Sequence, residues 1–220
     1  MRDPDKQPTY GSTSDERAAS SSASGTEGVP GGAHRLTESG FADIRVATMA
    51  DVPALNAMIA ASARGLSAGY YTPSQIDALV THVFGVDTHL IADGTYYVID
   101  APDGAPAAAG GWSARRALYG GDQMAAHATE DARLDPATEA AKIRAFFVHP
   151  AFARRGLARR LYAACAGAAR AAGFRRLELM ATLPGEPLYV ALGFAGVERI
   201  EATLPGGEVV PLVRMALDLA

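Results

Sequence analysis

The sequence is short of several features, and each shortage excludes a class of protein. Cys165 is the only cysteine among 220 residues, so the chain can form neither an internal disulfide nor a cysteine-based metal cluster. No apolar run approaches the ~20 residues that span a bilayer. The first ten residues also lack the apolar core of a secretory signal. We therefore expect a cytoplasmic protein without a membrane partner.

Basic charge is also scarce. Lys and Arg number 20 against 24 Asp and Glu, and the net charge of −4 is not typical of a general nucleic-acid binder.

The five histidines show no metal-ligand spacing, and no nucleophile elbow or phosphate-binding P-loop motif occurs. We expect neither a nucleic-acid partner nor a bound metal.

Composition divides the chain at about residue 40. Residues 1–40 are rich in Ser, Gly and Thr, and Val29 and Leu36 are their only branched aliphatic residues. Such a segment cannot bury enough apolar surface to offset its chain entropy. We predict a disordered tail over residues 1–40 and one folded domain over residues 41–220.

Hydrophobic periodicity predicts alternating strands and helices in the folded part. The predicted strands cover residues 44–47, 95–100, 107–114, 142–148, 177–181, 195–201 and 209–217. The predicted helices cover residues 52–64, 73–85, 156–172 and 187–192, and residues 119–138 form a long excursion. Pro211 places the last strand at a sheet edge or at a bulge. This order predicts an α/β sheet with helices on its faces and one strand–helix–strand crossover.

One segment concentrates positive charge. Residues 142–177 hold nine of the 20 Lys and Arg residues and no Asp or Glu. Four arginines bracket Gly156 at a predicted helix N-terminus, where the helix dipole disfavours each cation by about 0.3–1 kcal/mol. Free backbone N–H groups and clustered arginines together indicate an anion site. The alternative is a solvated basic face.

The same segment carries a family resemblance. The run IRAFFVHPAFARRGLARRLYAACAGAARAAGF resembles the acetyl-CoA-binding core of the GNAT superfamily of N-acetyltransferases. Its loop, residues 153–158, follows the pattern Gln/Arg-x-x-Gly-x-Gly/Ala except that Ala153 stands at the first position. PLYVALGF, residues 187–194, resembles a second family motif, and with IRVATMADVPALNAMI the resemblance spans residues 43–217.

The resemblance implies a fold and a set of site residues. It implies a mixed sheet flanked by helices and splayed between the fourth and fifth strands. Main-chain groups of Phe146, Phe147 and Val148 would pair with the pantetheine arm of the cofactor. Tyr189 would be the general acid that protonates the CoA thiolate. The pyrophosphate would lie on a loop that comprises Arg154, Arg155, Gly156, Leu157, Ala158 and Arg159.

The general base is less clear from the sequence. Glu178, on the strand after the basic helix, is the nearest candidate and would act through a water. A surface role is the alternative for Glu178, since charged side chains are mostly exposed. Asp122, Asp135 and Glu139 are further candidates, and we interpret His149 as a turn residue. The aromatic residues Tyr70, Tyr71, Tyr96, Tyr97 and Trp112 form either core or a substrate wall.

The resemblance implies an enzyme that transfers an acetyl group from acetyl-CoA directly to a primary amine on a small molecule or peptide. Cys165 falls in the middle of a helix on its inner face, so a covalent thiol route is not expected. One alternative is a sensor that binds acyl-CoA without turnover. A third hypothesis is that this protein modifies proteins as the partner of another chain. The oligomeric state is open, with a homodimer as one option.

Overall fold

The computed structural model describes residues 40–124 and 132–219. The tail predicted for residues 1–40 lies, except for Gly40, outside them, and so does part of the predicted excursion. Among the described residues, no helix combines the length and apolar character needed to cross a membrane.

Seven strands and five helices make up the described part of the chain. The strands are β1 (Arg45–Val46), β2 (Tyr96–Asp100), β3 (Pro106–Ser113), β4 (Ala141–Val148), β5 (Arg176–Thr182), β6 (Ala195–Thr203) and β7 (Val209–Asp218). The helices are α1 (Val52–Leu66), α2 (Pro73–His82), α3 (Thr88–Ala92), α4 (Leu157–Ala171) and α5 (Glu186–Val190). Short 3₁₀ turns at Met49–Asp51 and Pro150–Phe152 precede α1 and α4.

The strands form one mixed sheet in the order β1-β2-β3-β4-β5-β7-β6. Only β4 and β5 run parallel, and α4 is the crossover between them. Leu157, Leu161 and Cys165 pack α4 onto one face of the sheet, while α1 and α2 cover the other. The predicted mixed sheet with flanking helices is therefore confirmed.

Local sequence signals explain how α2 begins. The Thr72 hydroxyl accepts a hydrogen bond from the backbone N–H of Gln75 at 3.2 Å, and the Gln75 side chain accepts one from the Thr72 N–H at 2.9 Å. This capping box and Pro73 at the first helical position confirm the predicted start. The helix ends at His82, earlier than predicted, because Val83 and Phe84 both donate to the Leu79 carbonyl and close its last turn.

The expectation for Pro211 was wrong in its first form, since β7 lies inside the sheet and not at an edge. Pro211 is tolerated there because pairing between β5 and β7 stops one residue away, at Thr182 and Leu212. The Pro211 carbonyl accepts a hydrogen bond from the Tyr71 hydroxyl at 2.8 Å instead of joining the ladder. A missing N–H at this position therefore costs no strand hydrogen bond.

Candidate active site

The sheet opens between β4 and β5. The two strands pair only at Ala141 with Leu177 and at Lys142 with Glu178. Beyond these pairs β4 stays paired with β3 as far as Val148, and β5 stays paired with β7. The predicted splay between the fourth and fifth strands is confirmed. Within the described part of the chain, the following part of β4 has no strand partner on the side of β5.

A bulge in β4 shapes this opening. Between the pairs Gly111–Arg144 and Ala109–Phe147, β4 contains one residue more than β3, and Ala145 takes up a positive φ of 53°. As a result Phe146 packs towards α4 while Phe147 packs against Phe84, with ring centroids 5.3 Å apart. Side chains thus anchor the strand on both faces, and its backbone borders a cavity.

A glycine on the neighbouring strand permits this packing. A Cβ atom on Gly110 would lie 2.6 Å from the ring of Phe146, which is closer than side-chain contacts allow. The absence of a side chain at Gly110 therefore lets the Phe146 ring lie directly against β3. The shape of the opening depends on β3 as well as on the basic segment.

The N-terminus of α4 lies beside the cavity. Gly156 is its N-cap residue with a φ of 80°, Arg154 also has a positive φ of 64°, and none of the described side chains caps the helix. Ala158 lines the cavity, and the Arg155 guanidinium lies over the rings of Phe41 and Phe152 at 6.0 and 5.7 Å. Uncapped N–H groups, the helix dipole and exposed arginines make this end suited to an anion.

Tyr189 on α5 lines the same cavity. Its side chain is buried and packs edge-on against Phe194, with ring centroids 5.7 Å apart. Its hydroxyl has no hydrogen-bond partner among residues 40–124 and 132–219. Burial raises the pKa of Tyr189 above its usual value, and the nearby Cys165 adds to the shift. The phenol therefore carries its proton at neutral pH.

The far end of the cavity, between α1, α2 and β7, is mainly apolar. The cavity encloses about 230 Å³. Of the described residues that line it, only Arg144 is charged, and hydroxyl groups come, besides Tyr189, from Ser62, Ser67, Tyr119 and Thr182. The apolar wall of this end consists of Leu66, Leu79, Val83, Phe84, Leu118 and Leu212.

Comparison with known families decides the identity of this site. The model of the acetyltransferase (GNAT) family matches residues 74–194, more than half of the chain. The chain belongs to the GNAT family of acetyltransferases. It is therefore an acyltransferase, and the resemblance found in the sequence is confirmed. No curated protein matches the chain.

Solved structures share the GNAT fold at low sequence identity. A GCN5-related N-acetyltransferase from Rhodopseudomonas palustris aligns with a TM-score of 0.60 at 17% identity, over 80% of this chain and 95% of its own. YncA from Salmonella typhimurium, solved with acetyl-CoA, aligns at 0.52 and 17%, over 81% and 94%. PaiA N-acetyltransferase from Thermoplasma acidophilum, solved with coenzyme A, aligns at 0.52 and 11%, over 80% and 98%.

The structure does not bring Glu178 together with Tyr189. Glu178 lies where β4 and β5 still pair, its carboxylate is 2.5 Å from Lys142 Nζ, and it accepts a hydrogen bond from Arg214. It lines a second, polar cavity with Arg116 and other charged residues, and not the cavity of Tyr189. Burial opposes ionisation of Glu178, but the hydrogen bonds from Lys142 and Arg214 outweigh it and hold its pKa below the usual value.

The other acidic candidates and His149 serve local structure in this GNAT domain. Asp122 accepts hydrogen bonds from Thr88, and the Asp135 N–H donates to Glu139 at 2.7 Å. The His149 ring accepts a hydrogen bond from the Ala151 N–H at 3.3 Å, in keeping with a turn residue. None of these four side chains is among the described residues that line the cavity.

All of the aromatic set except Tyr70 contributes to the interior instead of a substrate wall. Tyr96 and Trp112 are buried in hydrophobic clusters, and Tyr71 holds the Pro211 carbonyl and the Leu183 N–H. Tyr70 is exposed away from the cavity. The aromatic rings that do line the cavity include Phe84 and Tyr119, which the sequence did not single out.

Sequence reasoning also missed a buried ion pair at the cavity wall. Arg144 Nη1 lies 2.8 Å from the carboxylate of Asp87, and Arg144 Nη2 donates to the Gly120 carbonyl at 2.7 Å. Both charged side chains are almost fully buried. Asp87 caps the short helix α3, whose five residues give no periodicity to detect. The one available signal was a charged residue inside the apolar strand IRAFFV.

No group of three or more His, Cys, Asp or Glu side chains in residues 40–124 and 132–219 is placed to hold a metal ion.

Proposed function

We propose that this protein transfers an acetyl group from acetyl-CoA directly to a primary amine, and that the reaction takes place in the cavity between β4 and β5. The observation that carries this proposal is the convergence of three features on one opening. These features are the unpaired backbone of β4, the uncapped N-terminus of α4 and the protonated phenol of Tyr189. Two relatives of the same fold, YncA and PaiA, were solved with acetyl-CoA and coenzyme A.

The residues at the opening fit the cofactor. The backbone from Phe146 to Val148 has no partner on the side of β5, so it is available to pair with the amide groups of a pantetheine arm. The pyrophosphate would lie on the amides of Gly156, Leu157 and Ala158. Arg154, Arg155 and Arg159 are exposed around that helix end and would add charge-assisted hydrogen bonds.

Bound acetyl-CoA would supply an acetyl thioester to the attacking amine. As the carbon–sulfur bond breaks, the sulfur takes the electron pair, and the Tyr189 hydroxyl gives its proton to that sulfur. A buried phenol without a protein acceptor is suited to this step because its proton is neither ionised nor held by a neighbour. Deep burial of Cys165 raises its pKa, so that thiol does not become the nucleophile of a covalent route.

The cavity wall also indicates the class of acceptor. Apolar side chains from α1, α2 and β7 surround the end away from α4, and a polyamine would have to bury cationic groups against them. We therefore assign the acceptor an apolar body next to its primary amine, on a small molecule or a peptide. Because the described lining contains no carboxylate, the amine would lose its proton to water.

A thiol-release assay with acetyl-CoA and a panel of amines tests this function. The proposal expects amine-dependent release of CoA, faster with aromatic and branched aliphatic amines than with spermidine of equal concentration. Mass spectrometry should find each product heavier by one acetyl group. Binding of acetyl-CoA without release for any amine would contradict turnover and support the sensor alternative.

A further inference from the structure

Strand β6 is a long open edge of the sheet. It runs for nine residues, Ala195–Thr203, and lies at the end of the strand order, where β7 is its only strand partner among residues 40–124 and 132–219. The other edge strand, β1, has two residues. Exposed edges present unpaired backbone groups that pair readily with another chain, and short edge strands avoid that pairing. With nine residues, β6 is too long for its length alone to prevent pairing with another chain.

We propose that two copies of this chain pair antiparallel through β6, with the two-fold axis at Ile200. In this arrangement Arg199 of one copy lies opposite Glu201 of the other. The arrangement joins the two seven-stranded sheets into one continuous sheet. The partner is a second copy of this chain, since β6 carries the complementary charges within its own sequence.

The direction of the backbone groups fits this pairing. The Pro211 carbonyl turns away from β6 to Tyr71, so the neighbouring residue Leu212 directs its backbone groups towards Ile200, with which it pairs. Backbone direction alternates along a strand, and therefore Arg199 and Glu201 direct their N–H and carbonyl groups to the open edge. Pairing Arg199 with Glu201 across a two-fold axis joins residues that face outward in both copies.

Charge selects this register over its neighbours. A shift of the axis to Glu201 would place the two Glu201 carboxylates opposite each other, and a shift to Arg199 would do the same for the two guanidinium groups. Directly opposed like charges destabilise a strand pair, and opposite charges stabilise it. Only the axis at Ile200 gives two attractive pairs, and from Glu198 to Thr203 the ladder with β7 has no irregularity.

β6 and the elements next to it in the chain or in the ladder carry exposed apolar side chains. Val197 on β6 is 55% exposed, Val209 opposite Thr203 is 40% exposed, and Val190 on the preceding helix α5 is 57% exposed. They are half of the six large hydrophobic residues exposed in the described chain.

Sedimentation equilibrium of the full chain and its charge variants tests this pairing. The wild type is expected to be dimeric, and Arg199→Glu and Glu201→Arg are each expected to weaken the dimer by roughly tenfold or more. An equimolar mixture of the two variants should restore it, because both cross-strand pairs become Glu–Arg. The double variant Arg199→Glu/Glu201→Arg should also dimerise.

Matched variants separate pairing from folding. Glu198→Arg reverses a charge on the same strand but faces Ala202 in the dimer, so its dissociation constant should stay near that of the wild type. Glu186→Gln removes the contact of Arg199 within one chain, at 2.8 Å, and should also leave the dimer intact. A wild type that is monomeric throughout would overturn the proposal, as would a mixture of variants that forms no heterodimer.

Discussion

Tyr189 is the residue on which the proposed chemistry depends most. Its phenol is buried, lines the opening between β4 and β5, and packs against Phe194, the last residue of the PLYVALGF motif. The sequence motif alone named this residue. The structure adds that burial keeps the phenol protonated and that its hydroxyl has no hydrogen-bond partner in the described chain, so no neighbour competes for the proton.

Replacement of Tyr189 by Phe should affect turnover and not binding. The ring and its packing are retained, so the melting temperature should change little. General acid catalysis contributes about 10²–10⁴-fold, and kcat should fall on that scale, towards its lower end if a water replaces the phenol. Single-turnover rates measure the loss. Acetyl-CoA affinity should stay within a few-fold, and a rate equal to that of the wild type would remove Tyr189 from the mechanism.

Glu178 shows why one sequence-predicted residue did not reach the cavity. Its strand was correctly predicted, but its partners Lys142 and Arg214 come from β4 and β7, which lie far apart in the sequence. The order of strands in the sheet decides which side chains become neighbours. The hydrophobic periodicity of the sequence predicts the strands but not their order. The placement of Glu178 favours a structural role over that of a base.

The variant Glu178→Gln distinguishes the two roles. If Glu178 has a structural role, the variant should unfold at a lower urea concentration than the wild type. The reason is that the nearly buried Lys142 ammonium loses its partner carboxylate. The pH profile of kcat/KM should keep its shape. Lys142→Met combined with Glu178→Gln should recover part of the lost stability. A profile that loses its acidic limb, with stability unchanged, would instead assign Glu178 as the base.

At the scale of elements, the N-terminal strand depends on one arginine. Arg45 on β1 binds Asp51, before α1, at 2.8 and 2.9 Å and Asp100, at the end of β2, at 2.6 Å. These contacts join the first strand to both neighbouring elements. Chiefly through the hydrogen bond from Arg45, the pKa of Asp51 falls from 3.8 to about 2.

This shift predicts a pH dependence of stability. Since the folded pKa of Asp51 is depressed, its contribution is fully present above about pH 4 and is lost as pH falls towards 2. A shift of this size corresponds to at most about 2 kcal/mol, and solvent screening of this partly exposed pair reduces the contribution to about 1 kcal/mol. Asp51→Asn should therefore lower the free energy of unfolding by about that amount at pH 7. Urea titrations at several pH values should show the difference shrinking below pH 4, and a constant difference would contradict the assignment.

Elements differed from the sequence prediction where tertiary contacts determine them. The long helices α1, α2 and α4 follow hydrophobic periodicity and caps, and they were found within a few residues of their bounds. The bulge at Ala145 was not predicted, because it depends on the register with β3 and on the space above Gly110. Helix α3 was missed since its five residues are too few for a periodic pattern.

At the scale of the whole molecule, the described sheet and helices form the acetyltransferase domain. We propose that residues 41–220 fold without the preceding tail, since the composition of residues 1–40 offers little to a core. A protein that begins at Gly40 should keep the melting temperature and the acetyl-CoA affinity of the full chain. Loss of either would place the domain boundary inside the present tail. A cytoplasmic location and the absence of a nucleic-acid partner stay predictions.

Binding of acetyl-CoA at the opening between β4 and β5 is the central claim. Titration calorimetry of the wild type, Gly156→Asp and Gly167→Asp tests it directly. Gly156→Asp adds a carboxylate at the end of α4 where we propose that the pyrophosphate binds, and Asp tolerates a positive φ there and suits the helix dipole. Gly167→Asp adds the same group in open space further along the helix.

The account predicts that acetyl-CoA binds the wild type and Gly167→Asp with similar affinity. Gly156→Asp should weaken binding by roughly tenfold or more, since a carboxylate and a pyrophosphate repel each other across a short distance. A wild type that shows no binding at millimolar acetyl-CoA, or a Gly156→Asp variant that binds as tightly as the wild type, would contradict the account.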